Sequence, residues 1–140
     1  MNNINLGRVV LGGLLAGLII NVGEFLLNDV ILGTQMREFF SRYNIPEPGG
    51  TFLIVAVGMS FVIGIVLVLL YALIRPRLGP GVKTAIVAGL ILWFCIYVYT
   101  GAINGLLFGI PANVMIIAFV WGLIEYLLAA IAGAWVYKEL

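Results

Sequence analysis

Two acidic residues, Glu24 and Glu125, lie far inside stretches apolar enough to cross a lipid bilayer. An ionised carboxylate at the centre of a membrane helix costs about 2.5 to 3.5 kcal/mol on insertion scales, so an acid in such a place is rarely idle. Residues three and four apart share a helix face, which puts Asn21, Glu24 and Asn28 on one stripe of the first apolar stretch. At a rise of about 1.5 Å per residue, Glu24 lies about 24 Å from Arg8 and Glu125 about 20 Å from Lys138, so the two acids share nearly one depth. In an up-down-up-down bundle the first and fourth spans are neighbours, and the two carboxyl groups would then face each other beside Asn21, Asn28, Tyr97 and Tyr126. No Lys or Arg lies within the apolar stretches to neutralise them. Desolvation and like charge both oppose ionising the pair, so at least one should carry a proton. Two carboxyl groups that share a proton can bind and release H⁺ or a hard cation as water access changes, the chemistry of a proton-coupled carrier. The bland alternative is a neutral acid hydrogen-bonded to an Asn or a Tyr across a helix seam.

Other chemistries find fewer residues. The chain has no histidine, which removes haem ligation and the usual zinc and copper sites, and its single cysteine, Cys95, cannot form an internal disulfide. Glu24, Glu125, Asn21 and Asn28 fall short of the oxygen count that Ca²⁺ takes, leaving a weakly held Na⁺ as the only metal ion to consider. Nucleophilic catalysis at Ser60, Thr100 or Cys95 would need an activating base, and only the carboxyl groups are available. No enzymatic activity, no metal and no cofactor are expected. A net charge of +1 without a basic tail gives nucleic acid no electrostatic footprint.

The elements that must hold these residues follow from composition. Of 140 residues, 64% are hydrophobic and 9% charged, with mean hydropathy +1.21. A soluble domain carries roughly 25% charged residues, so this chain belongs in a membrane. A hydrocarbon core of about 30 Å needs about 20 residues of helix, and four such segments consume nearly the whole sequence. The expected fold is all-α, a polytopic membrane protein with a single four-transmembrane-helix domain over residues 1–140 and spans at about 9–32, 51–74, 82–100 and 112–137. The third span has room to run on to Phe108. Residues 1–23 resemble a signal peptide, with Arg8 before Val9 to Ile20, but no clean cleavage site follows and the apolar run continues to Leu32, so we read a retained first span.

Span two should end at Arg75-Pro76, where proline opposes continuation. Between Thr84 and Ile124 there is no charge at all, and the break must come from Gly105, Gly109 and Pro111. In the longest connection, Gly33 to Gly50, Met36, Phe39, Phe40 and Tyr43 recur at helical spacing between Arg37, Glu38 and Arg42. That pattern predicts a short amphipathic helix on the outer interface, either covering the bundle mouth or gating it, before Pro46-Glu47-Pro48-Gly49-Gly50 turns into span two. Arg8, Arg75, Arg77, Lys83 and Lys138 fall on one side, whereas Arg37 and Arg42 on the other are offset by Asp29, Glu38 and Glu47. By the positive-inside rule both termini are cytoplasmic, in a bacterial-type inner membrane. Tyr71, Trp135 and Tyr137 fit an aromatic belt at the inner boundary.

Each span carries one face of small or polar residues. Gly13 and Gly17 extend the Asn21, Glu24 and Asn28 stripe of span one; Ala56, Ser60 and Gly64 mark span two; Ala85, Gly89, Trp93, Tyr97 and Thr100 mark span three; Ala118, Gly122, Glu125, Ala129 and Gly133 mark span four. Lipid gives helices no hydrophobic reason to associate, and small residues let backbones approach, so these faces are the natural seams of the bundle. Two alternatives stand beside that reading: the faces line a solvated pathway, or Gly13 and Gly17 join copies of the chain.

Leu11-Gly12-Gly13 ahead of Glu24 resembles span one of the small multidrug resistance exporters. That resemblance implies a dimer exchanging protons for cationic substrates at the shared glutamate. It covers span one only, and this chain is longer, carries a long outer loop and adds Glu125. The layout of most of the chain, with a long loop after span one, a tight basic turn after span two and Asn104-Gly105 before span four, is similar to an uncharacterised family of four-span bacterial inner-membrane proteins. That likeness implies a fold and no activity. The leading expectation is proton- or cation-coupled transport of a small solute by a homo-oligomer or a member of a larger membrane complex. The rival is a non-catalytic accessory subunit or assembly factor whose stripes and outer loop grip a partner.

Overall fold

The chain enters its first helix at Asn5, whose side chain accepts a hydrogen bond from the Arg8 amide at 3.1 Å and so satisfies one of the free donors of the first turn. The computed structural model describes residues 3–139; Met1, Asn2 and Leu140, the limits of the expected domain, lie outside the described residues. Helix α1 runs Leu6–Ile31, α2 Gly33–Arg42, α3 Gly50–Leu78, α4 Val82–Phe108 and α5 Ala112–Val136. There is no strand among the described residues. Helices α1, α3, α4 and α5 are each long and apolar enough to cross a membrane. In hydrocarbon a helix satisfies its own backbone, so this all-helical bundle is a multi-pass integral membrane protein. The short α2 is the amphipathic helix expected between the first two spans.

Three details differ from the sequence expectation. Helix α3 does not end at Arg75-Pro76 but continues through Pro76 to Leu78. A proline in the last turn forfeits only one backbone bond, and the stop comes instead at Gly79, whose amide bonds the Arg75 carbonyl at 2.8 Å and whose φ of 84° suits glycine. Helix α4 takes the longer of its two expected courses, to Phe108, but of the three expected breakers Gly105 remains helical. Gly105 is buried against Met115, where a Cβ would collide with the sulfur; Gly109, left-handed at φ 64°, and Pro111 make the turn. Tyr71 and Tyr137 are not belt residues. They are buried, stacked edge to face at 5.9 Å, with the Tyr71 hydroxyl accepting from the Gly81 amide at 3.1 Å. Arg75 lies over the Tyr137 ring at 5.6 Å and pairs with Glu139 at 2.9 Å. Both rings find tertiary partners beside the α3–α4 turn, whereas Trp135, 80% exposed, faces outward as a belt residue would.

Helix α1 packs chiefly on α3 and α5, and α4 lies against α5 with a smaller contact to α3. The small residues make the close seams. A Cβ on Gly13 would overlap the backbone of Ile65, one on Gly17 the backbone of Phe61, and one on Gly64 the backbone of Gly13 and Gly17. Between α1 and α5 a Cβ on Gly12 would come within 2.5 Å of the Gly133 carbonyl oxygen, and between α4 and α5 one on Gly89 would lie 3.1 Å from the Tyr126 carbonyl oxygen. Around these seams sits a core of Val9, Ala16, Leu67, Val68, Ala85 and Ala129, all near the end that carries the chain termini. At the opposite end α3 stands almost free: from Gly50 to Met59 every residue except Ala56 is exposed. Helix α2 lies across that end, with Phe39 and Tyr43 each 5.9 Å from the Phe108 ring and the Tyr43 hydroxyl donating to the Phe108 carbonyl.

Candidate functional site

Glu24 and Glu125 converge on one tyrosine. The Tyr97 hydroxyl donates to Oε1 of Glu24 and lies 3.3 Å from Oε2 of Glu125. Glu24 Oε2 accepts from Asn28 Nδ2 at 3.0 Å, and the same nitrogen reaches the Glu24 carbonyl at 2.9 Å. Glu125 is 4% exposed, and its Oε1 is buried without a hydrogen-bond partner among the described residues. A hydrogen bond to a charged group contributes about 1.5 to 3 kcal/mol, so the two donors on Glu24 together match the cost of inserting a carboxylate. Glu125, whose contact to Tyr97 is long and whose Oε1 has no partner, is less well compensated.

Local backbone shapes this cluster. Residues Leu26–Ile31 and Phe94–Tyr99 are wide π-helical turns, the first holding Asn28 and the second Tyr97. Such turns insert an extra residue and recur at functional sites, because they re-aim side chains that a regular helix would carry elsewhere. Room for the Glu125 carboxyl comes from Gly23, where a Cβ would lie 2.7 Å from Cδ of Glu125. Room for the Tyr97 ring comes from Gly122, where a Cβ would lie 2.6 Å from the ring. The Trp121 indole donates to the Gly23 carbonyl at 3.0 Å and fixes α1 against α5 one turn before Glu125.

Of the residues expected at the site, Glu24, Glu125, Tyr97 and Asn28 meet. Tyr126 takes part through its ring, edge to face with Tyr97 at 5.8 Å. Asn21 points away from the acids: its Nδ2 bonds the Gly17 carbonyl at 3.0 Å and the Val57 carbonyl at 3.3 Å, tying α1 to α3 below the cluster. Of the expected packing positions, Gly13, Gly17, Gly64, Gly89 and Gly122 sit at close approaches, while the Ser60 hydroxyl turns back to the Ala56 carbonyl at 2.9 Å and borders a cavity. Gly23 and Trp121 were not singled out by the sequence. Both carried a signal, since Gly12, Ala16, Ile20 and Gly23 form a second stripe on α1, and Trp121 precedes Glu125 by four residues.

Two cavities meet at Glu24. One of about 840 Å³ lies between α1 and the free half of α3 beneath α2; the other, about 320 Å³, lies between α1, α4 and α5. Glu24, Asn28, Met36 and Ile96 border both. The chain matches no family model, no curated protein and no solved structure. Its chemistry is therefore read from its own atoms. Among the described residues no three His, Cys, Asp or Glu side chains are grouped as a metal site requires. What the cluster can do is hold, share and pass a proton between two carboxyl groups and a hydroxyl, at the wall between two cavities.

Proposed function

We propose that this membrane protein couples proton binding at Glu24 and Glu125 to the movement of a small solute across the bilayer. The observation that carries the reading is the Tyr97 hydroxyl between the two carboxyl groups, one of which, Glu24, borders a large cavity. A hydroxyl has one hydrogen to donate, and here it goes to Glu24. The contact from Tyr97 to Glu125 then becomes a hydrogen bond when Glu125 carries a proton and donates it back to the tyrosine oxygen. One added proton thus closes the chain Glu125 to Tyr97 to Glu24, and a solute group that takes over Glu24 as acceptor opens it again. The proton on Glu125 and the solute on Glu24 act on the same Tyr97 hydroxyl in opposite senses, and that opposition is what couples their movements. In this reading α2 faces outward and both termini are cytoplasmic in a bacterial-type inner membrane, because Arg8, Arg75, Arg77, Lys83 and Lys138 gather at one end.

The test is electrical. A pH jump applied to proteoliposomes on a solid-supported electrode should give a transient current, as protons bind within the membrane field. The double variant Glu24→Gln with Glu125→Gln should insert and fold but give none. A current of unchanged size in that variant rejects the proposal. Absence of current from wild-type protein, with stoichiometric copurification of larger subunits, would favour the accessory role instead.

A further inference from the structure

The cavity between α1 and α3 has a shape that the proton chemistry does not explain. The two helices are clamped at Gly13, Gly17 and Gly64, touch once more where Asn21 bonds the Val57 carbonyl, and then part. From Gly50 to Ser60 the free half of α3 descends about 15 Å, which is half of a hydrocarbon core of about 30 Å. The slot is therefore long enough to reach from the membrane surface to its middle. Its two walls are unlike. The α1 wall presents Asn21, Glu24 and Asn28; the α3 wall presents Phe52, Val57 and Met59. Phe52 is 58% and Met59 53% exposed, so residues that line the slot also face the bilayer. The slot opens sideways into lipid.

We propose that this slot admits membrane-dissolved amphiphiles, single-chain molecules that enter from the bilayer and lay a hydrogen-bond-donating head, an amine or a hydroxyl, against Glu24. The inference names the substrate class of the transport proposed above and rests on that reading. An apolar chain already in hydrocarbon gives up nothing on sliding along Phe52, Val57 and Met59, whereas a water-soluble solute would have to shed its hydration there. At the inner end of the slot Tyr97 and Asn28 each donate to one oxygen of Glu24, and an incoming donor takes the Oε1 side from the Tyr97 hydroxyl, the exchange that the transport reading requires. At the mouth, Asp29 and Glu47 face the single cation Arg37, and with Glu24 they disfavour an anionic head.

Photolabelling in phospholipid vesicles tests this directly. Dodecylamine and dodecanol bearing a terminal diazirine should label Phe25 and the Phe52 to Ser60 segment about ten-fold more than a headless diazirine hydrocarbon, the margin set by one hydrogen bond to a charged acceptor. The relative yields of amine and alcohol decide which head is preferred. Ala56→Trp, which fills the slot, should remove the labelling, and Ile54→Trp, on the exposed side of the same helix, should leave it. Equal labelling by the headless hydrocarbon, or stronger labelling by dodecanoate bearing the same terminal diazirine, overturns the inference. So does near-complete disulfide formation between copies carrying Met59→Cys in a Cys95→Ser background, since a second copy would then occupy the slot. Labelling needs no proton movement. A current that survives in the double Gln variant sinks the transport reading whatever the labelling result, and a lost current with no head-dependent labelling sinks the amphiphile alone.

Discussion

The same two helices, α1 and α3, are pressed together at the end bearing the chain termini and parted at the α2 end. At the first, Gly13, Gly17 and Gly64 bring backbone against backbone; at the second, Glu24 and Asn28 face a cavity while α3 stands exposed from Gly50 to Met59 save for Ala56. Both halves of α3 are dominated by apolar residues. What differs is the size and polarity of the α1 residue opposite, hydrogen at one end and a carboxyl or amide at the other. In lipid, where close packing and hydrogen bonds replace the hydrophobic drive between helices, that difference is enough to convert a seam into a slot.

The largest effect should come from closing the contrast at its tight end. Gly64→Val places a branched side chain where a Cβ already overlaps the backbone of Gly13 and Gly17, with no flexible atom to yield. It should cost about 3 kcal/mol or more, read as a loss of folded protein in detergent titration. Gly58→Ala on the free half of the same helix meets nothing within 4 Å and should leave stability unchanged or raise it by up to about 1 kcal/mol. If both substitutions cost the same, the two halves are not packed as described.

Next in size is the bridge between the two acids beside the parted half. Tyr97→Phe keeps the ring that fills the space beside Gly122 and removes the hydroxyl that links Glu24 to Glu125. The loss should be about 1 to 3 kcal/mol of stability, because Glu24 gives up a donor it cannot replace from within the bundle. The pH-jump current should fall as well. Tyr126→Phe, whose hydroxyl makes no hydrogen bond among the described residues, should change neither measurement. A Tyr97→Phe protein with undiminished current would remove the tyrosine from the proton path.

The tight half was the more legible of the two from sequence. Gly13, Gly17, Gly64, Gly89 and Gly122 could be read as seams because small residues at four-residue spacing let membrane helices approach closely. The nearness of Glu24 and Glu125 followed from depth counting and from the adjacency of first and last spans. Three features escaped, each for a physical reason. The π-helical turns at Leu26–Ile31 and Phe94–Tyr99 depend on tertiary contacts that no residue spacing encodes. Pro76 was read as a stop, yet one missing amide near a helix end is tolerated. Tyr71 and Tyr137 were read as belt residues because composition places aromatics near headgroups without saying which way each ring turns. The slot itself was invisible, since it is a space between helices and leaves no mark in either one.

A smaller effect should follow at the α1–α5 contact that supports the acids. Trp121→Phe removes the indole donor to the Gly23 carbonyl while keeping an aromatic ring. One hydrogen bond of this kind contributes about 1 kcal/mol, so the variant should stay folded. Its consequence should be positional: Gly23 is the residue whose missing side chain leaves space for the Glu125 carboxyl, and a loosened Gly23 changes that fit. The pH-jump current should shift along the pH axis with little change in amplitude, in contrast to the loss expected for Tyr97→Phe.

The smallest expected effect belongs to the roof of the open half. Tyr43→Phe removes a hydrogen bond to the Phe108 carbonyl but leaves the edge contacts among Phe39, Tyr43 and Phe108 in place. Tyr43 is exposed, so water can replace the lost partner and the stability change should be about 0.5 kcal/mol. Hydrogen exchange is the sensitive measurement, because α2, a short helix lying across the cavity mouth, should open without unfolding the bundle. Exchange of the Gly33–Arg42 amides should accelerate in Tyr43→Phe while the amides of α3 beyond Gly64 keep their protection. Acceleration in both places would mean that the roof and the glycine seam open as one unit, and the division of the molecule into a fixed half and a parted half would fail.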